Sequence, residues 1–271
     1  MNPLPLLVTP RELLSRLDDP GLLLIDLGKE AIYQQAHLPG AIHLNYARLL
    51  GSSLPATGLL PEPRALATLL GDIGLAADRH VVAYDDEGGK RAARLLWLLE
   101  IVRHAQASLL DGGIHAWLAE ELPSITTAVA STRTTYPLGK LNLQPMATLQ
   151  DVRACLGKSD VVLWDSRSPE EFSGRRQSAQ KAGHIPGAVN YEWTRAVDAA
   201  RDRRLRDPVL IRAELGALGI EARKRIITYC QTHDRAGFTW FVGKWLGLDT
   251  CSYAGGWAEW GNDPSTPAGT A

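Results

Sequence analysis

The segments Leu22-Leu23-Leu24-Ile25-Asp26 and Val161-Val162-Leu163-Trp164-Asp165 are two versions of one pattern, an apolar run closed by an aspartate. A continuous apolar run of this length reads as a strand buried on both faces. Each run is preceded by a helical start signal, Thr9-Pro10-Arg11-Glu12 in one case and Thr148-Leu149-Gln150-Asp151 in the other. Thr9 and Thr148 suit the N-cap, Pro10 the first helical position, and Glu12 closes a capping box. From capping Thr to closing Asp is 17 positions in both.

The match continues outward from these strands. His37-Leu38-Pro39-Gly40-Ala41-Ile42 is answered by His184-Ile185-Pro186-Gly187-Ala188-Val189. A further buried strand follows in each half, Val81 to Tyr84 and Ile226 to Tyr229, then helical patterns over Ala92–Val102 and Gly237–Leu246. Each half ends on a Gly-Gly segment with a Trp, around Gly112-Gly113 and Gly255-Gly256-Trp257. Blocks repeated in order mean an internal duplication. Strands alternating with helices predict an α/β fold: two tandem domains, each a mainly parallel sheet with helices on both faces. The Thr-, Ser- and Ala-rich stretch near Thr126 to Thr135 is expected to be a linker. The division is therefore residues 1–124, a linker over 125–142, and residues 143–271. The second half carries eight extra residues between Asp165 and His184 (19 positions against 11), a polar stretch expected to form a surface loop.

Composition narrows the function. Hydrophobic residues at 45% and charged residues at 22% suit a globular protein with cores. A formal net charge of -1 gives no reason to expect a nucleic-acid or membrane partner. The basic run Arg201 to Arg206 is short and reads as a solvated surface. No stretch has the length of a membrane span, and the N-terminus lacks the layout of a secretory signal. The three cysteines, Cys155, Cys230 and Cys251, are an odd number without C-x-x-C spacing. A cytoplasmic protein without disulfides, structural metal or cofactor is expected, and a monomer, since two domains bury each other's surfaces.

The halves differ where the second buried strand ends. There the first half reads Tyr84-Asp85-Asp86-Glu87-Gly88-Gly89-Lys90, and the second Tyr229-Cys230-Gln231-Thr232-His233-Asp234-Arg235-Ala236. A loop from strand end into helix start collects backbone N–H groups and the positive end of the helix dipole, which together favour an anion. A cysteine in that position is favoured as thiolate, the nucleophilic form. The acids of the first-half loop are expected to repel an anion, so that half is expected to be catalytically empty. Features shared by both halves, such as His37 and His184, belong to the fold. Cys155 and Cys251 fall in ordinary structural patterns.

Asp165-Ser166-Arg167, Gly183-His184-Ile185-Pro186-Gly187-Ala188, the Cys230-to-Arg235 loop and Gly255-Gly256-Trp257 together resemble the tandem-domain rhodaneses over nearly the whole chain. The loop Cys230-Gln231-Thr232-His233 is most similar to bacterial thiosulfate sulfurtransferases of Azotobacter and Pseudomonas type. The resemblance implies sulfur transfer by double displacement, with Cys230 as nucleophile carrying a persulfide and Gln231, Thr232, His233, Asp234, Arg235 and Ala236 forming the active-site loop. It implies a small donor, thiosulfate or 3-mercaptopyruvate, and a thiol, cyanide or protein sulfur acceptor. The spacing C-x4-R is that of sulfur-transferring members; related dual-specificity phosphatases have one residue more. Two alternatives remain at this stage, a Cys-dependent phosphatase-like enzyme and a sulfur-delivery or regulatory interaction module. Asp234 stands where the bacterial members have His, and its charge is expected to weaken binding of dianionic thiosulfate.

Overall fold

The computed structural model describes residues 4–270. The first half contributes strands β1 (Leu7–Val8), β2 (Leu22–Asp26), β3 (Ile42–His43), β4 (Gly51–Ser53), β5 (Ala56–Leu59), β6 (His80–Tyr84) and β7 (Ala107–Leu110). The second contributes β8 (Met146–Ala147), β9 (Val161–Asp165), β10 (Val189–Asn190), β11 (Val197–Asp198), β12 (Arg204–Leu205), β13 (Arg225–Tyr229) and β14 (Thr250–Tyr253). The helices are α1 (Pro10–Leu14), α2 (Glu30–Gln35), α3 (Pro63–Asp72), α4 (Lys90–Ile101), α5 (Gly113–Ala119), α6 (Leu149–Cys155), α7 (Pro169–Phe172), α8 (Pro208–Ala217), α9 (Asp234–Trp245) and α10 (Gly256–Trp260).

Both five-stranded sheets are parallel throughout and share one order, β1-β7-β6-β2-β3 and β8-β14-β13-β9-β10. The strands read from sequence are the central ones. All five residues of β2 are buried, as a strand covered on both faces requires. Thr9 and Thr148 are N-caps as expected, Glu12 closes the expected capping box, and Asp151 closes a second one at Thr148. β6 and β13 are the middle strands, so the loops that leave their C-terminal ends sit at the centre of the sheet edge, where parallel α/β sheets place ligands.

The chain forms two compact units, one of residues up to 49 with 61–142 and 197–205, the other of residues 50–60, 143–196 and those from 206 on. Each half thus lends an antiparallel hairpin to the unit built by the other: β4–β5 belongs to the second unit and β11–β12 to the first. Residues 125–142 run mostly without regular structure along the first unit. Ile125 bridges to His37, the Val129 N–H donates to the Tyr33 hydroxyl, and the Thr134 N–H donates to the Gly71 carbonyl. Among the described residues no helix is long and apolar enough to cross a membrane.

His37 and His184 behave as paired fold features. His37 stacks on Tyr33 and His184 on Phe172, with ring centroids 3.7 and 3.8 Å apart. Each Nδ1 meets the carbonyl of its stacking partner, at 2.6 and 2.8 Å.

Candidate active site

Cys230 follows the last residue of β13 and has no accessible surface. Gln231 and Thr232 are half-buried, His233 is fully buried, and α9 begins at Asp234. His233 caps that helix with φ of +69°, in the left-handed region that disfavours side chains with a Cβ. A strained residue of this kind persists only where its surroundings hold it.

The holding groups lie on every side of the loop. The N–H of Trp257 donates to the Cys230 carbonyl at 2.7 Å, and that of Ala258 to the Gln231 carbonyl at 3.0 Å. Gly256 makes this approach feasible: its φ is +57°, and a Cβ there would meet the Cys230 carbonyl oxygen at 2.5 Å. Because a trans peptide points its C=O and N–H in opposite directions, these bonds turn the N–H groups of Gln231 and Thr232 away from α10. The Gln231 side chain is tied twice to Ser178, accepting from its hydroxyl at 2.8 Å and donating to its carbonyl at 2.9 Å. The polar insertion is thus fastened to the loop through Ser178. Arg175 and Arg176 remain exposed, and the Arg175 Nε donates to the Ser173 hydroxyl. Trp193 lies edge-on to Phe238 of α9, with ring centroids 5.6 Å apart.

Arg235 forms a two-pronged ion pair with Glu171, at 2.6 and 3.0 Å. Burial works against charge on both partners. It is outweighed in each: Glu171 is held below the usual carboxylate range by Arg235, and the guanidinium is held above its own by Glu171, with the Cys230 sulfur adding to the effect. Glu171 also closes the Ser168 capping box of α7. The pairing fixes the first turn of α9, with the Arg235 guanidinium as its brace. Asp234 occupies the first helical position, where an acid complements the helix dipole.

The equivalent loop of the first unit shows what such a turn binds. Asp85 is fully buried and its carboxylate accepts four backbone N–H bonds, from Glu87 and Gly89 at 2.8 Å, Arg91 at 2.7 Å and Ala92 at 2.9 Å. Burial pushes the Asp85 carboxyl above the usual range even against these donors. The sequence-based expectation that acids repel an anion here takes a different physical form. Asp85 is itself the anion in the cradle, Asp86 accepts from the Lys29 N–H, and Glu87 pairs with Lys90 and Arg91.

The loops also differ in length. Residues 85–89 separate β6 from α4, whereas residues 230–233 separate β13 from α9. Each helix has its left-handed cap, Gly89 or His233, immediately before it. By helix position, Arg91 is therefore the counterpart of Arg235, and the first unit has D-x5-R where the second has C-x4-R. The larger loop accommodates a carboxylate and the smaller one a sulfur. The donors Gly89, Arg91 and Ala92 correspond to His233, Arg235 and Ala236.

The remaining cysteines lack such an environment. Cys155 donates its thiol to the Val152 carbonyl at 3.1 Å, and burial raises its pKa. Burial pushes Cys251 up to about 11. Both stay thiols at neutral pH.

Beneath the loops, Asp165 and Arg167 form a fully buried ion pair with a shortest contact of 2.6 Å. The Arg167 guanidinium also donates to the Gly183 carbonyl at 2.8 Å and stacks over Trp257, 4.7 Å from its centroid. In the first unit Asp26 matches Asp165, but Gly28 stands at the arginine position. Burial pushes Asp26 up to about 6, against the Gly28 N–H and the Tyr84 hydroxyl. A carboxyl raised on folding binds its proton more tightly in the folded state. Stability from this group is therefore fully present below the unfolded value near 4 and falls as pH rises towards 6. The shift corresponds to about 3 kcal/mol. Asp26→Asn keeps an oxygen for the Gly28 N–H and removes the charge. Urea unfolding should show the variant gaining on wild type between pH 4 and 6.5, towards about 3 kcal/mol; a pH-independent difference would refute the assignment.

Among the residues that hold the loop, sequence reading missed Glu171, Ser178 and Gly256 as partners. Ser168-x-x-Glu171 is legible as a capping box, but nothing local points 64 positions on to Arg235.

A family model described as "Rhodanese-like domain" matches residues 9–120 and again residues 148–263. The chain is similar to the thiosulfate sulfurtransferase of Pseudomonas aeruginosa, 42% identical over 266 residues covering 97% of each chain. That of Azotobacter vinelandii is 42% identical over 265 residues, again 97% of each. The sulfur carrier protein TtuD of Thermus thermophilus is 30% identical over 272 residues, 93% of this chain and 92% of the relative. Among solved structures, a variant of EanB in complex with ergothioneine has the same fold, with a TM-score of 0.88 at 23% identity, covering 98% of this chain and 70% of that one.

Proposed function

The chain belongs to the rhodanese family, and from that premise we propose that Cys230 carries the transferable sulfur of this sulfurtransferase. One observation carries the assignment to this residue. The loop after the middle strand holds an anion on four backbone N–H groups in the first unit, and in the second unit the residue at that place is a cysteine.

The reaction is a double displacement. The Cys230 thiolate attacks the outer sulfur of thiosulfate, a new S–S bond forms, and the donor's S–S bond breaks with its electron pair leaving on sulfite. The N–H groups over Gln231 to Ala236 stabilise the anionic sulfur of the persulfide as an oxyanion hole stabilises oxygen. An acceptor thiolate or cyanide then attacks the terminal sulfur, and Cys230 departs as thiolate. With 3-mercaptopyruvate the broken bond is C–S, and the enolate left behind takes up a proton to give pyruvate. The sulfur is carried covalently, so no step calls for a metal or cofactor. A reducing cytoplasm suits a chain with three free cysteines. Because Cys230 has no accessible surface, a donor reaches it only as the groups that cover it give way.

The test is intact mass of reduced protein after thiosulfate and then after cyanide, with the modified peptide located by digestion. One sulfur atom should be gained on the peptide containing Cys230, be lost to cyanide, and never appear in Cys230→Ala. Sulfur on Cys155 or Cys251, or none from either donor, would overturn the assignment.

A further inference from the structure

The first half of the sequence carries no nucleophile at the loop, yet it sends one element to the catalytic unit, the β4–β5 hairpin. β5 lies against α10, the helix whose first N–H groups hold the Cys230 and Gln231 carbonyls. Gly58 of β5 sits on the loop itself. A Cβ at Gly58 would fall 1.9 Å from the Thr232 carbonyl oxygen, 2.5 Å from its carbon, and 3.2 Å from the His233 Cβ. The backbone of Gly58 is therefore packed directly on the peptide that joins Thr232 to His233.

That peptide matters because of its other end. Its C=O faces Gly58, so its N–H, which is the His233 N–H, points the opposite way. His233 matches Gly89 by position, and the Gly89 N–H is one of the four that hold the Asp85 carboxylate, at 2.8 Å. The same peptide opens into the left-handed conformation of His233, which needs an external hold.

The first unit repeats the arrangement in reverse. The β11–β12 hairpin, sent by the second half, places the Arg203 carbonyl 3.3 Å from a Cβ built on Gly88 of the Asp85 loop. Its Asp202 carbonyl lies 2.7 Å from a Cβ built on Gly112. In both units, a hairpin supplied by the other half packs on the loop that forms the anion cradle.

We infer that the catalytically empty half takes part in sulfur transfer as a brace: its β4–β5 hairpin, through Gly58, sets the Thr232–His233 peptide so that the His233 N–H faces the Cys230 sulfur. Gly58 is a positioning residue and touches no reacting atom. The inference rests on the assignment of the sulfur to Cys230.

The test compares sulfur loading from thiosulfate, followed by intact mass over time, in wild type, Gly58→Ala and Gly112→Ala. A Cβ at Gly58 must displace the Thr232 carbonyl, and misplacing a catalytic group by about 1 Å costs up to about 100-fold in rate. Loading in Gly58→Ala should fall about 10- to 100-fold, and the pH at which Cys230 alkylation reaches half its plateau rate should move up. Gly112→Ala inserts a comparable clash in the first unit and should lower the melting temperature while loading at the wild-type rate. Should Gly58→Ala not give folded protein, replacing residues 51–59 by Gly and Ser of equal number carries the same test without a clash. Wild-type loading and an unmoved alkylation profile in the folded variant would overturn the brace. Failure of wild type itself to load would overturn the Cys230 assignment instead.

Discussion

Asp85→Ala is expected to destabilise the first unit by about 3–5 kcal/mol, with phosphate or sulfate restoring part of the loss. The carboxylate accepts from Glu87, Gly89, Arg91 and Ala92 and is completely buried. Truncation to a methyl group leaves four donors facing a small polar hole at the start of α4. Each unsatisfied buried N–H costs about 1–3 kcal/mol, and a water admitted to the hole recovers some of it, which keeps the total below the full sum. Asp85→Asn should fare little better, because one of its two polar atoms is a donor turned towards donors. The vacated loop has D-x5-R spacing and backbone N–H groups at a helix start, so an oxyanion is the natural replacement ligand. Urea unfolding in chloride and in phosphate at matched ionic strength measures both effects. A loss below about 1 kcal/mol, or equal stabilisation of wild type and variant by phosphate, would show that the loop is no anion cradle. It would also remove the main support for reading the Cys230 loop as one.

That comparison also shows how far a single sequence goes. The duplication was legible because each block rests on local chemistry. β2 and β9 run over the residues that were read, Leu22–Asp26 and Val161–Asp165, since buried parallel strands are nearly pure apolar runs. Thr9 and Thr148 announce their helices by capping boxes that span only four residues. The replacement of Cys230 by Asp85 could be seen in the text, but its meaning could not. Repulsion was the natural reading of three consecutive acids, whereas the fold buries one of them on backbone donors and pairs the others with Lys29, Lys90 and Arg91. The register of the two loops was hidden for a related reason. Left-handed caps at Gly89 and His233 decide where each helix begins, and His233 is not a residue that advertises such a conformation.

What was not legible is what depends on distance along the chain. Glu171 meets Arg235 across 64 positions, Ser178 meets Gln231 across 53, and Gly58 meets Thr232 from the other half of the sequence. Strands such as β4 and β5 are too short and too poor in large apolar residues to be read from sequence, and they form a two-stranded sheet of their own, although Ala56 and Gly58 are buried. All three contacts serve the same loop. A loop with a strained residue draws its order from its surroundings, so the residues that specify it are spread where the chain folds back.

Arg167→Met is expected to cost the second unit about 3–5 kcal/mol at neutral pH, and much less in acid. The guanidinium contacts both oxygens of Asp165 and donates to the Gly183 carbonyl, with neither side chain exposed. Met matches the length of the aliphatic stem and keeps most of the packing on Trp257. The loss is therefore chiefly that of the partner to a buried carboxylate, the case in which breaking an ion pair is most damaging. The molecule contains its own control. Asp26, in the same place in the first unit without an arginine, has its pKa pushed up to about 6 by burial. Asp165 without Arg167 should behave likewise and take up a proton as pH falls, since a neutral carboxyl is far less costly to bury than a charged one. Unfolding free energies at pH 5 and pH 8 should then differ more in Arg167→Met than in wild type, with the variant recovering on the acid side. The double variant Asp165→Asn with Arg167→Met should lose less than Arg167→Met alone at pH 8, because it leaves no uncompensated charge. If the single variant lost the same amount at both pH values, the cost would lie in packing and the pair would not be electrostatic in its effect. If the double variant were the less stable at pH 8, the hydrogen bonds of Asp165 to its own loop would outweigh its charge, and the brace beneath Cys230 would depend on the aspartate alone.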